Sequence, residues 1–294
     1  MNYPAMSKPG AEINLQTYGA EKTVAHYSSL HYLTPCERLL FETYIKPESA
    51  ILDLGVGGGR TTAFLSATAS RYVGVDYVPA MIDACRKKFP GLEFMVASAA
   101  DLSAFQEASF DGVVFAFNGI DFVLPDAARR RCFEHIHRVL KPGGVVIFSA
   151  HNARSIVVRP SWNRDRVKRL AMRLSGGSGI VARFWMTVLT GVRASLACLE
   201  AFLKTVKRIL GRVGTKAFWD GEGCLLDSAH GGLYTHYSIP SRVLKELDDT
   251  HMTCERILGD DYPQRSHPLA TDWYYYVFSK PCSPKLRRSE SRDQ

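Results

Sequence analysis

The chain has 294 residues, 46% of them hydrophobic and 22% charged, and a formal charge of +8. That composition is ordinary for a globular protein and excludes a collagenous, low-complexity or wholly disordered chain. Its seven cysteines, Cys36, Cys85, Cys132, Cys198, Cys224, Cys254 and Cys282, are odd in number and never spaced C-x-x-C; they argue for a reducing compartment without a disulfide framework or zinc site.

Residues 1–20 are polar and turn-rich and read as partly disordered. The opening MNYPAMSKPG lacks the basic-then-apolar pattern of a secretory signal, so a cytoplasmic protein is expected. Glu21 to Tyr32 reads as a helix carrying Tyr27. Thr34-Pro35-Cys36-Glu37 starts the next helix: a threonine cap, proline at the first helical position and glutamate closing a capping box.

The stretch that organises the chain follows, Ala50 to Thr62, AILDLGVGGGRTT. Ile51, Leu52 and Leu54 read as a short buried parallel strand. The chain then turns through Gly55, Gly57, Gly58 and Gly59 into a helix, so that backbone can approach a ligand closely with helix N–H groups facing it. The dinucleotide fingerprint G-x-G-x-x-G fails, because Arg60 stands where the third glycine belongs; this argues against a nicotinamide-dependent oxidoreductase. Asp53 at the strand end would repel a phosphate and suits a cationic ligand.

Tyr72 to Val75 is a second apolar strand ending in Asp76, placed to accept hydrogen bonds from both hydroxyls of a ribose. A third strand, Leu92 to Val96, leads to Ala99-Ala100-Asp101-Leu102. There Asp101 can accept from an exocyclic adenine amine while Leu102 packs on the ring. Phe110 to Phe117 is a fourth strand, ending at Asn118-Gly119. A helix from about Pro125 to Leu140 precedes Lys141-Pro142-Gly143-Gly144 and a fifth strand, Val145 to Ser149. His135 and His137 lie on different faces of that helix and are no metal pair.

DLGVGGG, VGVD, the AAD after the third strand, FDGVV and LKPGG, in this order and spacing, resemble the class I S-adenosylmethionine-dependent methyltransferases. The resemblance covers roughly Thr34 to Asn152 and returns at Tyr234 to Lys280. It implies an α/β, doubly wound, seven-stranded and mostly parallel Rossmann-like sheet, in the order 3-2-1-4-5-7-6. The last two strands, Thr253 to Leu258 and Trp273 to Ser279, would form an antiparallel hairpin at its edge. It also implies the cofactor S-adenosyl-L-methionine. Asp53, Gly55 and Gly57 would line its methionine part, and Asp76 would hold the ribose. Tyr77 and Met81 would lie against the adenine, Asp101 and Leu102 on its other side, and Asn118 beside the reacting methyl. Segments before the first strand often fold over the cofactor in this family, which makes Tyr18 and Tyr27 candidates to cover it.

The departure from a minimal fold of this kind is a helical insertion after the fifth strand. From Arg154 to Lys216 there are fourteen Lys and Arg against two acids, a net of +12; the chain as a whole carries +8, so the remainder nets −4. Val167, Leu170, Ala171 and Leu174 repeat at helical spacing, Ser175-Gly176-Gly177-Ser178-Gly179 breaks the chain, and a second amphipathic helix of about 45 Å runs from Ile180 to about Gly211. Arg193 and Glu200 interrupt any membrane-spanning window. Three readings stand for 154–216: peripheral contact with an anionic membrane, a lid receiving an acidic acceptor, or a helical pair packed on the domain with a solvated basic face.

The division expected is therefore a cap segment (1–33), a core (34–153 and 230–280), a basic helical insertion (154–229) and a disordered tail (281–294). Phe117-Asn118-Gly119-Ile120 lacks the Pro-Pro-aromatic run of base-amine methylases, which argues against nucleic acid and for a small-molecule acceptor, methylated on O or N and free or lipid-linked. An RNA methyltransferase and a catalytically silent cofactor-binding protein are the alternatives. Methyl transfer needs alignment and, for a hydroxyl, removal of a proton. His151 after the fifth strand and His236 near the re-entry of the chain are the candidate bases, with Asp121 and His230 nearby. The sequence specifies no oligomeric state.

Overall fold

The computed structural model describes residues 9–160, 164–175, 179–227 and 232–282. His230, residues 176–178 of the break and most of the tail lie outside them.

The fold is built on β1 (Ala50–Leu54), which pairs in parallel with β2 (Arg71–Asp76) on one side and β4 (Phe110–Phe115) on the other. Being covered on both faces, β1 is apolar at every position but Asp53. Ala50, Leu52 and Leu54 point into one core cluster and Ile51 into the other, as the two-residue period of a strand requires. β3 (Glu93–Val96) extends the sheet beyond β2, and β5 (Leu140–His151) beyond β4.

Two antiparallel strands complete it, β9 (Trp273–Ser279) against β5 and β8 (Thr253–Gly259) outside β9. The order is β3-β2-β1-β4-β5-β9-β8, which is the expected topology, the last strand being inserted next to the fifth. β6 (Glu222–Asp227) and β7 (Leu233–Ser238) form a separate antiparallel ribbon. The sequence reading brought the chain straight back into the core near Tyr234 and did not separate this hairpin.

The helices in order are α1 (Pro9–Gly19), α2 (Glu21–Ser29), α3 (Pro35–Tyr44), α4 (Thr62–Ser66), α5 (Pro79–Lys88), α6 (Asp126–Val139), α7 (Arg164–Leu174), α8 (Gly179–Arg212), α9 (Lys216–Asp220) and α10 (Pro240–Asp248). The Thr34–Glu37 capping box forms at α3 as expected. Of residues 1–20, which were expected to be partly disordered, 1–8 lie outside the described residues and 9–19 form α1. Its Asn14 amide bonds both backbone groups of Tyr234, at 2.9 and 3.0 Å, so that β7 supplies what the helix lacks in local propensity.

Candidate active site

At the carboxyl end of β1 the chain turns with Gly55 and Gly57 in the left-handed region, at φ +59° and +53°. A side chain at Gly55 would meet the Phe115 ring at 2.6 Å. What glycine preserves at that position is thus contact with β4 rather than open ligand space. The turn opens onto a cavity of about 200 Å³, lined by Asp53, Gly55, Gly57, Arg60, Asp76, Tyr77 and Met81 among others.

Two carboxylates face it. The Thr61 and Tyr72 hydroxyls both donate to Oδ2 of Asp53, at 2.8 and 2.7 Å. Asp76 accepts the Gly57 N–H at 2.8 Å and the Val78 N–H at 2.9 Å, one on each oxygen. Burial pushes both carboxyls up to about 6, because a charge in a dry site loses its hydration. Among the described residues the buried Tyr77 hydroxyl has no hydrogen-bond partner.

Arg60, in the place of the third glycine, makes a buried two-pronged pair with Glu37 at 2.7 and 2.6 Å and lies 4.7 Å from the Phe117 ring centre. Glu37 thereby caps α3 and ties it to the glycine turn. The sequence showed the cap; the pairing across 23 residues left no local signal.

α1 and α2 close the cavity. Tyr18 and Tyr27 both line it, 5.9 Å apart between ring centres, and Tyr18 stands edge-on to Phe122 at 5.3 Å. Gly58 lets α2 lie directly on the turn, since a Cβ there would strike the backbone of Tyr27 and Ser28.

Beyond β4, Phe117 and Asn118 are both left-handed, at φ 55° and 61°, a conformation uncommon for a bulky residue. The bend turns Asn118 inward. Its N–H donates to Ser149 Oγ at 2.8 Å, and its side-chain amide lies 3.1 Å from His151 Nε2. On the far side of that ring, Asp121 accepts the His151 backbone N–H and Nδ1–H, and its other oxygen takes Arg129 at 3.0 Å. Arg129 continues to Glu246 at 2.9 Å. Phe122 and Tyr237 flank the His151 ring at 6.4 and 5.2 Å.

Not every expected residue reaches the cavity. Asp101 is exposed and accepts from the Ser103 N–H, and Leu102 is fully buried in the core. The loop after β3 lines the cavity with Ala97 to Ala100 instead, and the Ser98 hydroxyl accepts the Ala100 N–H at 3.2 Å. Asn118 and His151 do not line the cavity, whereas Phe117, Gly119 and Phe122 do. His236 lines a second cavity of about 640 Å³, with its Nδ1 3.9 Å from Asp121 Oδ1. Burial, reinforced by Arg129, pushes its imidazole down to about 3, which makes it a weak proton acceptor.

Residues 51–144 match the family model described as a methyltransferase domain. Over those residues the chain carries a methyltransferase domain. The methyltransferase match takes in the glycine turn, Asp53, Asp76 and the bend at Asn118. Among curated relatives, the demethylmenaquinone methyltransferase of Clavibacter sepedonicus is 36% identical over 100 residues, 33% of this chain and 39% of that protein. The trans-aconitate 2-methyltransferase of Azoarcus sp. (strain BH72) is 30% identical over 158 residues, 53% of this chain and 54% of that one. The chain thus spans about half the length of these relatives or less.

The 1,6-didemethyltoxoflavin-N1-methyltransferase of Burkholderia thailandensis, solved with 1,6-didemethyltoxoflavin and S-adenosylhomocysteine, superposes with a TM-score of 0.54 at 15% identity. That match covers 96% of this chain and 93% of the other. An S-adenosylmethionine-dependent methyltransferase from Mesorhizobium loti gives 0.51 at 17% identity, over 79% and 91%. At these identities the likeness is one of fold.

Proposed function

We propose that the protein transfers a methyl group from S-adenosylmethionine to an oxygen or nitrogen of a small-molecule acceptor. The observation that carries this reading is the pair of buried carboxylates, Asp53 and Asp76, facing one cavity across the glycine turn.

The residues suit that cofactor. Asp76 keeps a lone pair on each oxygen beyond its two backbone bonds, enough for the two hydroxyls of a ribose. Asp53, at the strand end, suits the ammonium of the methionine part. Met81 and Tyr77 offer an apolar wall and a free hydroxyl to the adenine, with Ser98 opposite. Tyr18 and Tyr27 exclude water. When bound, the cofactor supplies an electrophilic methyl group.

On the acceptor side the Asp121 carboxylate holds the proton of His151 on Nδ1, so Nε2 is the basic nitrogen. Rotation of the Asn118 amide frees Nε2 to take a proton from an acceptor hydroxyl or ammonium. Phe122 and Tyr237 give that acceptor an apolar surround. Relatives named for demethylmenaquinone and trans-aconitate support the small-molecule class. Calorimetry with S-adenosylmethionine tests the cofactor, with saturable one-to-one binding expected. Product S-adenosylhomocysteine should then accumulate only when a small-molecule extract supplies the acceptor. Binding without any such product would leave a silent cofactor-binding protein.

A further inference from the structure

α8 is 34 residues long, about 50 Å, and it meets the domain with its small and polar side. Ala197 and Ala201 are buried, 3% and 6% exposed. Thr205 Oγ1 accepts the Val158 N–H at 2.9 Å, Arg208 pairs with Asp272 at 2.6 Å, and Arg212 donates to the Ser155 carbonyl at 2.6 Å. At 100° per residue these positions fall on one side of the helix. The large apolar residues fall on the other and face out, among them Ile180 (80% exposed), Phe184, Val192, Leu199, Phe202 (62%) and Leu210 (78%). α7 lies against α8 and leaves Leu170, Met172 and Leu174 exposed as well. An apolar strip of this length on a protein surface marks a contact.

Charge indicates with what. Arg193, Lys204 and Lys207 are exposed along the margin of the strip, and Lys168 and Arg173 are exposed on α7. The acid beside them, Glu200, is already held by Lys204 at 2.6 Å. We propose that α7 and α8 dock on an anionic membrane surface. The strip lies at the boundary of headgroups and acyl chains, and the cations sit on lipid phosphates.

Two copies joined through this strip would bring cationic margins together with Glu200 alone to offset them. By length and composition α8 could cross a membrane, which corrects the expectation that Arg193 and Glu200 interrupt every such window, but the ties at Thr205, Arg208 and Arg212 hold its C-terminal end along the domain. The helix therefore lies in the plane of the interface. The inference uses nothing from the methyl-transfer reading, and either can fail without the other.

Vesicle sedimentation of the full chain is the test, with phosphatidylcholine alone and with phosphatidylcholine plus one-third phosphatidylglycerol. The protein should pellet with the anionic vesicles and remain in solution with the neutral ones. Leu199→Gln, Phe202→Gln and Leu203→Gln together change exposed side chains only, so the fold should survive, checked by circular dichroism, while vesicle binding is lost. Arg193→Glu, Lys204→Glu and Lys207→Glu together should lower partitioning at least about a hundredfold, since each cation at an anionic surface adds about fivefold. Failure of the unaltered chain to pellet with anionic vesicles would overturn the proposal. So would a stable dimer, dissociated by the glutamine variant, that binds no vesicles.

Discussion

One oxygen of the Asp121 carboxylate accepts both the backbone N–H of His151, at 2.6 Å, and its ring Nδ1–H, at 2.9 Å. This double hold fixes the ring, its tautomer and its distance from Asn118. If His151 takes the acceptor proton, His151→Gln should lower single-turnover rates by about 10²- to 10⁴-fold and leave the cofactor dissociation constant unchanged. Equal rates for variant and parent would remove His151 from the chemistry.

Asp121 is also the counter-charge of a fully buried arginine, Arg129. Asp121→Asn should therefore do two things at once. It should reduce turnover by loosening His151, and it should cost about 3 kcal/mol of stability by leaving Arg129 less compensated. Denaturant melts beside single-turnover rates would separate these effects.

Asp76→Ala removes the acceptors assigned to the ribose. Cofactor affinity should fall about ten- to a hundredfold, the cost of leaving buried hydroxyls unpaired. Because burial raises this carboxyl to about 6, affinity in the unaltered protein should also weaken as pH falls through about 6 and the carboxylate is lost. Asp53 rises to the same value in the same cavity, so calorimetry between pH 5 and 8 should compare parent with Asp76→Ala; an equally steep pH dependence in both would mean that Asp76 does not contact the cofactor.

Asp53 carries a cost to the free protein. Its folded value of about 6 lies above the ordinary aspartate value, so between the two the native state binds the extra proton and stability rises as pH falls; above about 6 the penalty of the buried charge is present in full. Asp53→Asn keeps an acceptor for Thr61 and Tyr72. It should stabilise the free protein at pH 7 by roughly 1–2 kcal/mol while weakening cofactor binding. A lower melting temperature for this variant would count against the assignment.

Gly58→Ala tests the cover. The added methyl would strike α2 at Tyr27 and Ser28, pushing the helix and its tyrosine off the cavity. Cofactor affinity should drop with the sheet intact, as read by calorimetry and far-ultraviolet circular dichroism.

The strand order came from the family resemblance, whereas the glycine turn, Asp53, Asp76 and the α3 cap were legible in the sequence itself. Each is a local device, a strand running through a tight turn into a helix, and spacing along the chain determines which atoms meet. What tertiary structure decided lies at long range. Asn14 finds the backbone of Tyr234 across 220 residues, and Glu37 finds Arg60 across 23. Nothing in Asp101 said that the loop after β3 would turn it to solvent and present Ser98. The sequence of α8 likewise displayed two faces, but periodicity is symmetric with respect to inside and outside. Only the alanines packed on the domain settle that its leucines and phenylalanines look outward.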